Sequence, residues 1–438
     1  MCASYSVVCG GGGFFVVNFV AFLMLFAVGV YLLQIARIYY LGVFSVIYSL
    51  LFCLVPLCNY YLNGLWLEHP EAIYGPIDDE LIFEAYTLIN VCFVLLIVCY
   101  SLFVVAHRRV DKLSCLDGEY FVRVLSGWLI VIGFFIYIYS LGYGFGNPLA
   151  VLRLVYENGR MAHFNNASFS AFGMNLSYYL MSFSSLFVYL SYPHYRFNFF
   201  TLSVVLIIVV VTVVSGGRQF FMLMFSGGVA ALYFKSNISI GKMALILVFV
   251  FFMLFFWQFY RAKTGEEFDL DVVVRFFTRG DVTYFYYASV EAIRQYLDYD
   301  VSFYAAFYRN LMLLPLPSEW TFGIKVSDLS RLFSYAFSSD NSYREGNYPP
   351  GLIGMFVLNF GYFGFLFIGI FLLVLFDFVE RKMAPNFLRA VVIANMLFWV
   401  LQIMRGTLMG YYLIVFQVGV VFAILLVRKF FLKNHTVV

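Results

Sequence analysis

From Phe14 to Ile35 the chain runs for about twenty residues without a charged side chain, and runs of this kind recur almost to its end. A hydrocarbon core about 30 Å thick is crossed by about twenty helical residues rising 1.5 Å each. Transmembrane β-strands would instead alternate apolar and polar residues in segments of about ten. The continuous runs therefore predict an all-α polytopic membrane protein. Composition agrees: 63% of the 438 residues are hydrophobic and 12% charged, against about 25% charged in an ordinary soluble domain.

The twenty-residue rule predicts about eleven spans. They lie near 14–35, 40–62, 82–106, 121–144, 169–193, 199–215, 219–234, 243–261, 351–376, 387–404 and 411–428. Residues 1–262 then carry the first eight helices, 263–350 form a long loop, and 351–438 carry the last three. A loop of that length is usually functional. The spacing of Phe303, Tyr304, Phe307 and Leu311 predicts a short amphipathic helix over 300–314, at the membrane surface or capping the bundle. No basic region precedes the first run, so it reads as a membrane helix and not as a cleaved leader.

Lysine and arginine in the short loops set the orientation. Arg37, the group Arg108, Arg109 and Lys112, then Arg196, Lys235, Lys242, Arg381, Lys382, Arg428, Lys429 and Lys433 fall on one side, the cytoplasmic one. The opposite side begins with EHPEAIYGPIDDE (68–80), which has neither residue. It also holds the long loop.

The net charge of +3 carries no nucleic-acid signature. The seven cysteines mostly lie in apolar runs without metal-ligand spacing to histidine, as small buried residues do.

Arginine is the anomaly. The outer side holds Arg153, Arg160, Arg218, Arg261, Arg275, Arg279, Arg294, Arg309, Arg331, Arg344 and Arg405, with only Lys263 and Lys325 beside them. Arginine binds phosphate in a planar fork and stays charged when partly dehydrated. Arg218 is the oddest. It lies in VVVTVVSGGRQFFMLMF (209–225), and a guanidinium in hydrocarbon costs about 2.5–3.5 kcal/mol on insertion scales. The hairpin 199–234 has two arms near the lower length limit for a span, so the SGGR turn is expected to dip below the outer headgroups. Ser215, Gly217 and Arg218 would then stand at the mouth of a cavity between helices. Arg405, in QIMRGTLMG, holds a similar place. The plain alternative for any one of these arginines is a snorkelling anchor, the reading preferred for Arg309 and Arg331.

In order along the chain, the SG-x-R turn, the long outer loop, the lead-in YPPGLIGMFVLNFGYFGF (348–365) with its N-F-G-x-x-G pattern, and the Arg405-Gly406 pair before the last span resemble the O-antigen polymerases (Wzy) and related oligosaccharide repeat-unit polymerases. The resemblance covers the layout of essentially the whole chain. It implies an inner-membrane enzyme whose site faces the periplasm. Such an enzyme transfers a growing glycan from undecaprenyl pyrophosphate to the terminal sugar of a new undecaprenyl-linked repeat unit. No nucleotide sugar, cofactor or metal is implied. A polysaccharide chain-length regulator is a further partner that the resemblance leaves open. By motif, Arg218 and Arg405 are the first choices for catalysis. Arg160 and Arg261 follow by layout, and Arg279, Arg344, Ser215 and Gly217 are candidates for substrate binding. Glu157, His163 and Asp281 compete as general base, and nothing in the sequence separates them. Related ligases use an outer-loop histidine, for which His163 is the nearest analogue, in a different loop.

Other readings stay open. Asp78-Asp79-Glu80 and the pairs in DLD (269–271) and DYD (298–300) suit a metal-dependent lipid-linked glycosyltransferase. An O-antigen ligase is close in mechanism. A lipid-linked oligosaccharide flippase would place ionisable residues near the bilayer midplane, whereas the charges here fall near span ends. Tyr284, Tyr286 and Tyr287 stand where rings stack on sugars or form an interfacial belt.

Overall fold

The computed structural model describes residues 11–61, 80–106, 119–145, 171–192, 199–215, 219–235, 281–299, 349–384, 386–407 and 409–434, with 322, 324, 332, 333 and 336 between them. These residues are overwhelmingly helical, and there is no strand among them. Among the described residues, five helices are long and apolar enough to cross a membrane: Val16–Ala36, Tyr39–Cys58, Leu81–Val105, Glu119–Ser140 and Phe387–Met404. A bent pair, Gly351–Gly364 and Leu366–Lys382, would add a sixth if it forms one span. Phe199–Thr212 and Tyr411–Val427 are shorter apolar helices. The span expected at 243–261 and the surface helix expected at 300–314 lie outside the described residues.

Two compact units divide the chain. The first comprises Met1–Val110, Glu267–Lys382 and Trp399–Gly410; the second comprises Asp111–Glu266, Met383–Phe398 and Tyr411–Val438.

In the first unit, α1 (Gly11–Tyr31) and α2 (Tyr39–Tyr48) are joined through a π-turn at Leu32–Ala36 and a left-handed Arg37. A second π-turn, Ser49–Leu54, leads into α3 (Val55–Tyr61). A π-turn takes backbone carbonyls out of the ordinary helical ladder, and here side chains satisfy one of them. The carbonyl of Phe52 accepts from Asn90 Nδ2 at 3.1 Å and from Tyr86 Oη at 2.9 Å. Asn90 and Tyr86 belong to α4 (Glu80–Ala106). Asn90 also accepts from Tyr48 and donates to Asn18, closing a buried polar knot between three helices. Around it the rings of Phe44, Tyr48, Phe52, Phe93 and Phe356 pack in stacked, tilted and edge-to-face pairs. On α4, Leu81, Leu88, Leu95 and Leu102 stand exposed every seven residues. In lipid such a stripe is the expected outer surface of a span.

The amphipathic helix α10 falls within the predicted long loop. It runs Asp281–Tyr299 and packs along α11 (Gly351–Asp377) through Ser289 and Ala292 against Gly354, and Tyr296 against Tyr362. Its Tyr286 and Tyr287 are buried, Tyr286 edge-on to Tyr86 at 4.9 Å. The sugar-stacking reading of these two rings is therefore corrected: α10 is enclosed from Phe285 to Ile293, so even consecutive rings, which point to different sides of a helix, are both buried. α11 bends at Gly361, where φ is 66°, and ends in a π-turn, Phe378–Lys382.

In the second unit, α5 (Glu119–Phe145), α6 (Ala171–Met181), α7 (Ser184–Ser191), α8 (Phe199–Ser215) and α9 (Gln219–Lys235) pack with the start of α12 (Phe387–Met404) and with α13 (Met409–Asn434). The single span expected at 169–193 is broken into α6 and α7 at Ser182–Phe183. The Ser182 carbonyl is taken by the Gln417 amide at 2.9 Å, and Gln417 and Ser185 both bond Asn395. Serines that bond backbone and neighbours compete with the helical ladder. Gly227 of α9 lies against the Ser185 carbonyl, where a Cβ would collide. α8 and α9 are each 17 residues long, joined by three residues, so the short hairpin is present as two short helices.

Within each unit, loops assigned to the same membrane face meet. Glu380 bonds the Tyr39 and Tyr40 amides, and Arg381 donates to the Val104 carbonyl at 3.0 Å. In the second unit Lys235 pairs with Glu119 and donates to the Tyr192 carbonyl.

Candidate functional site

The first unit brings together two stretches that the sequence singled out separately, the YPPG lead-in and the Arg405-Gly406 pair. α12 ends in a Schellman cap. The Gly406 amide donates to Ile403 O at 2.8 Å and the Thr407 amide to Gln402 O at 3.0 Å. This cap needs a left-handed residue just past the helix, and Gly406 supplies it with φ of 83°. Arg405 is thus the half-helical C-cap that follows α12. Its carbonyl would be left without an intrahelical partner, and the Gly351 amide donates to it at 3.1 Å.

Gly351 opens α11 behind Pro350. It has φ of 73°, and a Cβ there would run into the Ser289 hydroxyl and the Phe285 carbonyl. A Cβ on Gly406 would meet the Gly351 carbonyl oxygen at 2.5 Å. Both glycines are needed for conformation and for clearance. Ser289 of α10 braces the joint. Its hydroxyl proton is shared between Phe285 O at 2.8 Å and Pro350 O at 3.2 Å, and its oxygen accepts the Gly354 amide at 3.4 Å. One turn earlier on α10, the Phe285 ring lies under the Arg405 guanidinium, 5.9 Å from Cζ to centroid. An arginine against a ring face keeps its donors at the rim, where a planar bidentate acceptor fits.

A second charged cluster occupies another face of α10. Glu291 is fully buried. Its Oε1 accepts from Arg294 at 2.8 Å and Gln295 at 2.6 Å, while Oε2 has no hydrogen-bond partner among the described residues. Burial pushes this carboxyl above the ordinary carboxylate range, against the opposing pull of the Arg294 and Gln295 hydrogen bonds.

Of the residues expected from sequence, Arg405 stands in this constellation and Ser215 is the last residue of α8. Asp281 is the first residue of α10. Asp298 is exposed near the end of α10. Arg160, Gly217, Arg218, Arg261, Arg279 and Arg344 lie outside the described residues, as do Glu157, His163, Asp78, Asp79 and residues 269–271. Sequence reasoning missed Phe285, Ser289 and Glu291. The available signal was the small-residue spacing Ala288, Ser289, Ala292, which marks a face for close helix contact.

No protein-family model, curated protein or solved structure matches this chain.

Proposed function

We propose that this protein is a polymerase of lipid-linked oligosaccharide repeat units, acting at the periplasmic face of a bacterial inner membrane. The observation that carries the reading is the junction of Gly351 with Arg405. Two of the motifs on which the resemblance rests, more than fifty residues apart in sequence, are in backbone contact, with the guanidinium over Phe285. The grouping of loops by expected membrane face supports the assignment of those loops to shared sides.

In the proposed reaction the bond from the anomeric carbon of the growing glycan to the pyrophosphate oxygen breaks. The electron pair leaves with undecaprenyl pyrophosphate. The terminal hydroxyl of the incoming repeat unit forms the new bond to that carbon and gives up its proton to a general base, for which Glu157, His163 and Asp281 are the candidates. Arg405 stabilises the charge gathering on the departing pyrophosphate, and Arg218 is the other catalytic candidate by motif. Arg160 and Arg261 are further catalytic candidates; Arg279, Arg344, Ser215 and Gly217 are candidates for holding substrate.

The break between α6 and α7 favours a second reading, a lipid-linked oligosaccharide flippase, because discontinuous helices often mark transport sites. Its freed Ser182 carbonyl, however, is bonded internally by Gln417. Lipopolysaccharide banding in a deletion strain separates these functions. A ladder that collapses to core plus one repeat unit supports the polymerase. Loss of every repeat unit points to a flippase or a ligase, and an unchanged ladder rejects all three.

A further inference from the structure

We propose that Phe285 is the positioning residue of this site, holding the Arg405 guanidinium through the face of its ring. The inference rests on the reading of Arg405 as a pyrophosphate-binding arginine.

Three observations converge. The ring is 5.9 Å from Cζ of Arg405, within the range at which a cation is attracted to an aromatic face. Phe285 is buried, so the ring is held by its surroundings. The backbone on either side is fixed independently. The Arg405 carbonyl accepts from Gly351, and the Pro350 carbonyl and the Phe285 carbonyl share the Ser289 hydroxyl. Helix α10 thus holds Arg405 at two points, the ring under its charge and the serine under the joint that receives its carbonyl. A long side chain left free would lose rotamer freedom on gripping a phosphate. A ring beneath it meets part of that cost before substrate arrives. Positioning of this kind needs a ring with a negative face, and not merely an apolar side chain of similar size.

The test uses the purified full-length protein in detergent or nanodiscs with undecaprenyl-pyrophosphate-linked repeat units. Phenylalanine analogues carrying one, two and three ring fluorines replace Phe285. They keep its shape and weaken the negative face of the ring stepwise. The expected result is a stepwise fall in turnover that reaches about 2- to 30-fold, from the usual strength of such contacts. The melting temperature should stay within a degree or two. Phe285→Trp should retain turnover and Phe285→Leu should lose it. In an Arg405→Ala background the fluorine series should go flat.

Turnover indifferent to fluorination overturns the inference while leaving Arg405 its role. Equal loss in Phe285→Trp and Phe285→Leu also overturns it, because packing alone would then explain the position. Full turnover in Arg405→Ala itself rejects the reading on which the inference stands, an outcome distinct from both.

Discussion

The carboxylate of Glu380 accepts the backbone amide of Tyr39 at 2.9 Å across 341 residues of chain, and its other oxygen accepts the amide of Tyr40. Two of the amides at the start of α2, which no helical carbonyl can reach, are thereby satisfied by one buried charge. The carboxylate also sits at the positive end of the helix dipole. Charge-assisted hydrogen bonds are worth about 1.5–3 kcal/mol each. Glu380→Ala is therefore expected to lower the thermal midpoint of the detergent-solubilised protein strongly, and Glu380→Gln, which keeps one acceptor, by less. A midpoint unchanged in Glu380→Ala would show that water replaces the cap at no cost.

Glu291 carries a pH dependence of determinable sign. Its folded carboxyl titrates above the ordinary value of 4.5, chiefly through burial. A raised acid favours the protonated form in the folded state. Its contribution to stability is full below pH about 4.5 and is lost as pH rises through the raised folded value. Between these limits the wild-type midpoint should fall with pH relative to Glu291→Gln, in which the charge is gone. Parallel pH profiles for the two proteins would refute the assignment.

How much of this was legible follows from where each signal resides. The helix expected over 387–404 has those limits in the structure. Both ends are written locally: Asn386 Oδ1 caps the Arg389 amide at 3.0 Å, and Gly406 closes the Schellman turn. The break at Ser182–Phe183 has no glycine or proline to announce it. It depends on Gln417, a partner 235 residues away. The π-turn at Ser49–Leu54 likewise relies on Asn90 and Tyr86. Arg405 was reachable because its pairing with glycine is local. Phe285 was not, because a ring among many rings becomes special only by what folds against it. Glu291 has the look of a solvated charge on an amphipathic helix, and only tertiary packing buries it.

The membrane orientation makes its own prediction. A reporter fused after Lys112 or Lys433 should be cytoplasmic, and one inserted near Glu266 or Asp340 periplasmic. The contacts of Glu380 with Tyr39 and of Lys235 with Glu119 require the joined loops to share a face whichever way the protein inserts. All four reporters on one side would reject both the orientation and the periplasmic site.

Arg405 itself is tested by separating its charge from its shape. As the C-cap of α12 it has an ordinary structural use, since a cation at a helix C-terminus complements the dipole. Lysine serves that use nearly as well. If the guanidinium instead grips pyrophosphate through its fork, Arg405→Lys keeps the charge and loses the paired geometry. The charge-assisted hydrogen bond at stake is worth about 1.5–3 kcal/mol, or roughly ten- to a hundredfold in turnover. Arg405→Ala should lose at least as much. The same pair of changes at Arg218 tests its expected catalytic role. Turnover is measured on purified protein at matched melting temperature, so that a weakened joint with Gly351 is not mistaken for lost catalysis. Normal polymer from a stable Arg405→Lys protein, with loss only in Arg405→Ala, would assign the residue to the helix end. Equal loss in both, with the fold intact, would assign it to the phosphate.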